Sequence, residues 1–174
     1  MKQVAKINPR NVSEQEVTTY SLREAARAIV FDKDKNIALL LVGRDKYYKL
    51  PGGGIEEGED RMFGLQRECY EEIGCAVEVV GEVGYTVEYW KEDNEKQTSY
   101  CYIAKVVGEK GEPDFTASEK ERSFSIVWVS YSEAIRLFKE SSPTQFEGEY
   151  IKPRDLAFLE EILPSGERNK TQTL

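Results

Sequence analysis

Seven carboxylates and two arginines fall within one segment, LPGGGIEEGEDRMFGLQRECYEEIGC from Leu50 to Cys75, together with six of the chain's 13 glycines. In its second half, Glu68, Glu71 and Glu72 are spaced i, i+3 and i+4, which places all three side chains on one surface of a helix. Like charges at this spacing destabilise a helix by about 0.2 to 0.5 kcal/mol per pair. The segment therefore predicts a ligand that offsets the repulsion.

The ligand that these oxygens suit best is a hard divalent cation. Mg²⁺ keeps several of its waters and shares substrate phosphates, so it fits an all-carboxylate site better than zinc does. The chain has no histidine, which removes the commonest general base and every Ser-His or Cys-His nucleophile. The sequence leaves the chemistry to carboxylates, water, lysine or a metal ion.

Three further features favour a built site over a solvated charged face. Arg67 is placed to neutralise part of the charge, through a bidentate contact with Glu59 near the helix start. Gly64 lies on the same sector of the helix as the glutamates, where a missing side chain leaves room for a ligand or a close backbone. The glycines before the helix predict a tight turn whose carbonyls, that of Gly53 among them, add a further ligand.

The elements that must position this segment follow from its hydrophobic periodicity. Apolar residues recur at helical spacing, which predicts a helix from Asp60 to Ile73 that ends at Gly74. AARAIVF and NIALLLVG flank a polar turn and predict an antiparallel hairpin from Ala25 to Gly43. A longer strand pair, one more strand and two helices follow. This order predicts a mixed or antiparallel sheet covered by helices.

The whole chain has the composition of one soluble domain. Its 174 residues, 40% hydrophobic and 32% charged, suffice for a single core. A net charge of -8 repels a phosphate backbone, so duplex nucleic acid is not expected as a partner. No apolar run approaches a membrane span, and the three cysteines lack metal-binding spacing. We therefore expect a cytoplasmic protein with buried thiols and no membrane partner.

The acidic segment also has its fixed residues at defined intervals. It contains Gly53, five residues, Glu59, seven residues and then RECYEEIGC from Arg67 to Cys75. This pattern resembles the signature of the Nudix hydrolase family at every fixed position. The resemblance implies an α/β fold of the Nudix type, an α/β/α sandwich with a mixed β-sheet in which the motif forms a catalytic loop, helix and loop.

The activity that the resemblance implies is hydrolysis of a pyrophosphate bond. Family members cleave a nucleoside diphosphate linked to another moiety X, as in a nucleoside triphosphate or a nucleotide sugar, and use Mg²⁺ or Mn²⁺. The expected partner is thus a nucleotide-type small molecule. A non-catalytic nucleotide-binding or sensor module on the same fold is the alternative. A Ca²⁺ site of the helix-loop kind is less consistent, because GGGIEEGED lacks its alternating acids.

Roles for single residues follow from the resemblance, position by position. The expected metal ligands are three helix glutamates and one loop carbonyl: Glu68, Glu71, Glu72, and Gly52 or Gly53. Arg67 and Glu59 are the pair expected to orient the helix. A carboxylate must also accept the proton of the attacking water. The candidates for that role are Glu68, Glu71 and, from a later loop, Glu119 or Glu121.

Candidate substrate contacts border the glycine loop. Arg44 and Lys49 are predicted to meet phosphate charge, with ordinary soluble surface as the alternative. Five aromatic side chains are candidate platforms for stacking on a base, with packing in the sheet as the alternative: Tyr47, Tyr48, Tyr89, Trp90 and Phe124. The predicted substrate-binding set is Tyr48, Lys49 and Arg44. The identities of X and of the base stay open.

The predicted organisation is an N-terminal extension over residues 1–20, the hydrolase domain over 21–163 and a polar tail over 164–174. EQEVTTYSL, residues 14–22, is a candidate strand for pairing two copies of the chain, which predicts a homodimer.

Overall fold

The computed structural model describes residues 1–163, so the predicted polar tail lies outside the described residues. The described chain forms strands and helices in the order β1 (Gln3–Ile7), α1 (Glu14–Val17), β2 (Ser21–Phe31), β3 (Ile37–Val42), β4 (Tyr47–Lys49), α2 (Arg61–Ile73), β5 (Ala76–Trp90), β6 (Glu95–Val107), α3 (Ala117–Glu121), β7 (Phe124–Val129), α4 (Tyr131–Glu140) and α5 (Phe146–Glu161).

These strands form one mixed sheet. The strand order is β1-β5-β6-β2-β3-β4, with β7 also paired to β3. The β1-β5 and β2-β6 pairs are parallel and the other pairs are antiparallel. Helix α2 packs on one face of the sheet, and α4 and α5 pack on the other. The predicted α/β/α sandwich with a mixed sheet is confirmed.

Strand β2 supplies the core on both faces of the sheet. Ala26, Ala28 and Val30 pack below α2, and Ile29 packs with α4 and α5. Because strand side chains alternate between faces, Arg27 falls on the same side as Ile29. A buried arginine is therefore directed toward the helix layer that contains α5.

The predicted antiparallel hairpin from Ala25 to Gly43 is confirmed next to its turn and is wrong over the rest of its length. β2 and β3 meet only at Phe31 and Ile37, while β2 pairs with β6 in parallel along its whole length. The pairing partner of β2 is distant in sequence, so a local pattern of two apolar runs and a turn does not reveal it.

The glycine loop of residues 51–55 borders β2 where β3 would lie in a hairpin. Ala26 N and Ala28 N donate to the carbonyls of Gly53 and Pro51, each at 3.0 Å. Helix α5 holds the residue before the loop, because Leu50 N donates to Asp155 Oδ2 at 2.8 Å. These bonds fix the loop between the sheet and the helix layer.

The N-terminal 20 residues hold two elements that the sequence did not predict. β1 pairs with β5 as an edge strand of the main sheet. Residues 14–22, predicted as a strand, begin instead with the short helix α1, and the side chain of Ser13 caps it by accepting from Glu16 N at 3.1 Å. The local capping signal outweighs the β-branched residues that follow.

The three cysteines are buried free thiols, as the sequence predicts. Burial raises the pKa of Cys69, Cys75 and Cys101. In the part of the chain that the structure describes, no helix combines the length and apolar character that crossing a membrane requires.

Candidate active site

Helix α2 starts and ends where its capping residues predict. The Asp60 side chain accepts from Met62 N at 2.9 Å and Phe63 N at 3.2 Å. Gly74, with φ 63°, ends the helix in the left-handed conformation and donates to Tyr70 O at 3.0 Å. Both ends of the acidic helix are thus fixed by local hydrogen bonds.

The three glutamates of α2 differ in their exposure to water. Glu72 is buried, with 3% of the residue exposed. Glu68 is partly buried, and Glu71 is exposed. This gradient follows from their position beside the apolar stripe that packs on the sheet. The surface that they share runs from the core to solvent.

Glu72 joins the helix to the glycine loop. Its Oε1 accepts from Lys49 Nζ at 2.5 Å, and its Oε2 accepts from Gly52 N at 2.7 Å. Burial raises the pKa of Glu72, and the charge and hydrogen bonds of Lys49 and Gly52 oppose that shift without cancelling it. One carboxylate therefore links α2, β4 and the loop.

Two neighbouring glycines let the loop approach closely, each for a different reason. Gly52 has φ 126°, and a Cβ there would lie 2.1 Å from the backbone oxygen of Ala26. A Cβ on Gly53 would lie 2.2 Å from the carboxylate of Glu68. Gly52 thus permits packing on the sheet, whereas Gly53 permits contact with the acidic helix.

Arg67 makes the predicted bidentate contact with Glu59 and bonds to both outer glutamates as well. Its Nε and Nη2 donate to Glu59 at 3.0 and 3.2 Å, and its Nη1 donates to Glu68 at 2.8 Å and Glu71 at 3.3 Å. The hydrogen bond that Arg67 donates to Glu59 is the largest cause of the raised Arg67 pKa. A Cβ on Gly64 would lie 2.7 Å from Glu59, so the room at Gly64 accommodates that carboxylate.

The α2 glutamates and the glycine loop, here called the acidic corner, offer the kind of ligand atoms that a hard divalent ion prefers. Within residues 1–163, no three Asp, Glu, His or Cys side chains are arranged ready to hold an ion. The helix glutamates are instead bonded to Lys49, Gly52 and Arg67. The candidate metal ligands, which are the glutamate carboxylates and the loop carbonyls, are all oxygens. The lack of a Cβ on Gly53 lets the loop lie against Glu68. An ion would replace lysine and arginine as the neutralising charge.

The predicted substrate contacts are separated by the fold. Lys49 reaches Glu72. Tyr48 has the opposite orientation on β4, and its ring lies 6.4 Å from that of Phe138, among the residues packed on the α4 and α5 side. Arg44 pairs with Glu121 at 3.3 Å, at the end of α3. Of this set, the structure brings Lys49 alone, among the described residues, into hydrogen-bonding contact with an α2 glutamate.

A cavity of about 300 Å³ lies beside Lys49, between the sheet and α5. Three of the five candidate stacking residues line it: Tyr47, Trp90 and Phe124. Sequence reasoning missed the other nine lining residues, among them Arg27, Arg122, Glu147 and Arg154. The arginine within the apolar run AARAIVF was a signal for the first of them, because a charged residue inside a core strand is rare.

Comparison with known proteins places this chain in a family. The NUDIX domain model matches residues 21–148. The chain belongs to the NUDIX family. The predicted Nudix hydrolase identity is confirmed, and the protein is an enzyme that acts on pyrophosphate bonds. Residues 1–20, predicted as an extension, precede the matched region and contribute β1 to the sheet of this Nudix fold.

Similar proteins include enzymes with different substrates in their names. Diphosphoinositol polyphosphate phosphohydrolase 2 of Rattus norvegicus is 25% identical over 130 residues, covering 72% of this chain and 68% of that protein. RNA pyrophosphohydrolase of Pelagibacter ubique (strain HTCC1062) is 25% identical over 115 residues, covering 59% and 73%. The solution structure of the E. coli ORF135 protein aligns with a TM-score of 0.59 at 18% identity, covering 90% and 98%. The last of these shows the fold.

Proposed function

We propose that this Nudix hydrolase uses Mg²⁺, or Mn²⁺ in its place, to hydrolyse a pyrophosphate bond in a nucleoside diphosphate linked to another moiety X. The observation that carries the proposal is the contact between Glu72 and Gly52, 2.7 Å from Oε2 to N, which joins the acidic helix to the glycine loop. Glu68 lies against the next loop residue, Gly53. Helix and loop thus form one acidic corner.

Glu68, Glu71, Glu72 and the carbonyl of Gly52 or Gly53 would hold the ion in this proposal. When bound, such an ion neutralises phosphate charge and lowers the pKa of a water. The carbonyl of Gly53 already accepts from Ala26 N at 3.0 Å, and a carbonyl has a second lone pair for a further contact. Arg67 and Glu59 then serve to orient the helix.

The proton of the attacking water needs a carboxylate acceptor. As the water oxygen bonds to phosphorus, the bridging P–O bond breaks and the water proton passes to the carboxylate. We favour Glu68, which is partly buried against Gly53 and oriented by Arg67. Glu121 has 77% of its side chain exposed and pairs with Arg44. Glu119 accepts from Thr116 N at 2.8 Å as part of a helix cap.

Lys49 is the best supported of the substrate contacts in this proposal. An ion that took over Glu72 would free the lysine ammonium for a substrate phosphate. Arg44 and Tyr48 stay predictions from the sequence, as do the cytoplasmic location and the homodimer.

The test is hydrolysis of a substrate panel in Mg²⁺, comparing the parent protein with Glu72→Gln. The panel contains nucleoside triphosphates, nucleotide sugars, a diphosphoinositol polyphosphate and RNA, since relatives of this chain are named for the last two. We expect turnover of at least one nucleoside diphosphate derivative. We also expect Glu72→Gln to lower kcat/KM by at least about 100-fold, because even residues that only support a metal ligand contribute 10- to 100-fold.

Glu57→Gln is the matched control, because Glu57 is an exposed acid between the glycine loop and α2, and the activity of this variant should equal that of the parent. Binding of nucleotides without turnover by the parent would contradict the proposal and favour the sensor alternative. Turnover of the inositol or RNA substrate alone would contradict the proposed substrate class.

A further inference from the structure

The cavity beside Lys49 extends the acidic corner into the space between the sheet and α5. Its volume is about 300 Å³, at the lower end of the range for small-molecule pockets. Lys49 lines the cavity and bonds to Glu72 at 2.5 Å. A ligand held in the cavity would therefore be adjacent to the proposed site of hydrolysis.

Arg27 lines this cavity as a buried cation with unused donors. The residue is 7% exposed, and among the described residues its buried Nε and Nη1 atoms have no hydrogen-bond partner. Burial lowers the pKa of Arg27 to about 10, so the guanidinium is charged at neutral pH. Burying a charge without hydrogen bonds is costly, and an anionic ligand would recover that cost.

The neighbouring arginines of the cavity are engaged with the protein. Arg154 donates from Nε to Asp155 Oδ1 at 2.6 Å. Arg122 donates from Nε to Asp45 Oδ2 at 2.6 Å. The unused donors of Arg27 thus point to a ligand, since buried Arg154 and partly buried Arg122 in the same cavity both donate to carboxylates.

Glu147 adds an unused acceptor to the same cavity. Its Oε2 is buried and, within residues 1–163, has no hydrogen-bond partner. Its Oε1 lies 3.9 Å from Arg122 Nη2, a distance too long for a hydrogen bond. A ligand that satisfies both residues must present an anionic group to Arg27 and a hydroxyl or amino donor to Glu147.

The remaining lining residues favour a nucleoside over a densely phosphorylated polyol. Trp90 and Phe124 provide aromatic surface in the cavity, and every base has a face that stacks on such rings. Asp93 and Glu95 join Glu147 as lining carboxylates, and Arg23, which also lines the cavity, lies 3.6 Å from Glu95. The charge of Asp93 and Glu147 would repel phosphates placed all around a ring. The cavity therefore suits one phosphate together with a polar aromatic group.

We propose that this cavity holds the nucleoside monophosphate part of the substrate, with Arg27 binding a phosphate oxygen and Glu147 accepting a hydrogen bond from a hydroxyl or amino group. This assignment deepens the proposed function and depends on it for the identity of the substrate. In this assignment, Arg27 and Glu147 are the residues that select the nucleoside monophosphate part of the substrate.

The first test is calorimetric binding of AMP and of inorganic phosphate in EDTA, where no turnover occurs. Arg27→Gln should bind AMP at least tenfold more weakly than the parent, because the charged hydrogen bonds to phosphate are lost. Arg136→Gln, on the surface of α4 and paired with Glu133, should bind within twofold of the parent. Failure of the parent to bind AMP, or a loss smaller than tenfold in Arg27→Gln, would overturn the proposal.

Glu147→Ala provides an independent test if Arg27→Gln does not fold. It should weaken AMP binding at least threefold and leave phosphate binding equal or tighter, because a carboxylate near phosphate repels it. Glu149→Ala on the same helix, where Glu149 pairs with Arg10 on the surface, is the control. Equal AMP binding by Glu147→Ala and Glu149→Ala would overturn the assignment. Because binding is measured without hydrolysis, a failure of this assignment can be told apart from a failure of the proposed enzymatic function.

Discussion

Glu72 lies in a nearly water-free position, where a carboxylate without partners would cost several kcal/mol, about 2 to 7 for a polar group alone. Lys49 and the amide of Gly52 offset part of that cost. The lysine thereby occupies one oxygen of the carboxylate that the proposed ion needs. At the residue scale, binding of the proposed ion therefore requires Glu72 to exchange its lysine partner for the ion.

Substitution of the two loop glycines should separate stability from activity. Gly52→Ala places a Cβ against backbone at a φ of 126°, so we expect a loss of about 1 to 3 kcal/mol in the free energy of unfolding. Gly53 lacks a positive φ, and its Cβ would meet the movable carboxylate of Glu68. The free energy of unfolding of Gly53→Ala should therefore be within about 1 kcal/mol of that of the parent.

The same Gly53→Ala variant should lose at least about tenfold in kcat/KM, because Glu68 is displaced. Urea titration gives the stability and a coupled phosphate assay gives the activity. A fully active Gly53→Ala, or equal destabilisation by both variants, would contradict the roles assigned to the loop.

Sequence reasoning identified the residues of the acidic segment because their spacing is local. The Arg67 fork on Glu59 needs only the geometry of one helix and the turn before it. The contact of Lys49 with Glu72 was not predictable, nor was the lack of partners for Arg27 Nε and Nη1 among residues 1–163. The reason is that β4 and β2 meet the helix and α5 only after the sheet has formed.

At the scale of elements, helix α2 depends on its N-cap. Asp60→Ala removes an acceptor from the backbone donors of Met62 and Phe63 and should destabilise the protein by about 1 kcal/mol. Asp60→Asn should stay close to the parent, because asparagine is an equally good N-cap. Urea unfolding measures both. Equal losses for the two variants would show that the charge, and not the cap, stabilises this end.

The ends of α2 were predictable because an N-cap aspartate and a left-handed glycine are signals within a few residues of the helix. The pairing of β2 with β6 and the start of α5 at Phe146 were not. β2 pairs on one edge with a strand more than 70 residues later in the chain, and on its other edge the glycine loop takes the place that a local hairpin would use. These long-range contacts of β2 determine where the acidic helix meets the loop.

At the scale of the whole molecule, the ion pair of Arg122 with buried Asp45 links the end of α3 to the turn after β3 and should make stability pH-dependent. Asp45 has 2% of its side chain exposed and accepts from Arg122 at 2.6 Å. Burial raises the pKa of Asp45, but the hydrogen bonds from Arg122 and Arg44 lower it by more. The stability that the Asp45 carboxylate contributes to the fold is therefore fully present above the unfolded-state pKa of about 3.9. It is lost as pH falls through the lower folded-state pKa.

Asp45→Asn should be less stable than the parent at pH 7 by about 1 to 3 kcal/mol. The difference should shrink as pH falls below about 4, because the unfolded chain then binds a proton at Asp45 more readily than the folded protein does. Asp34→Asn, at an exposed turn, is the control with no such difference. Thermal unfolding across about pH 2 to 7, a range that lies on both sides of the unfolded-state pKa, checks this, and a constant gap between parent and Asp45→Asn would contradict it.

The central claim is that the three glutamates of α2 hold a divalent ion in place of Lys49 and Arg67. Anomalous diffraction from crystals soaked in Mn²⁺ with a nucleotide analogue tests it most directly. We expect a manganese peak within coordination distance of Glu68 and Glu72, with the Lys49 ammonium moved away from Glu72. A map without a peak there, and with Lys49 still bonded to Glu72, would contradict the claim.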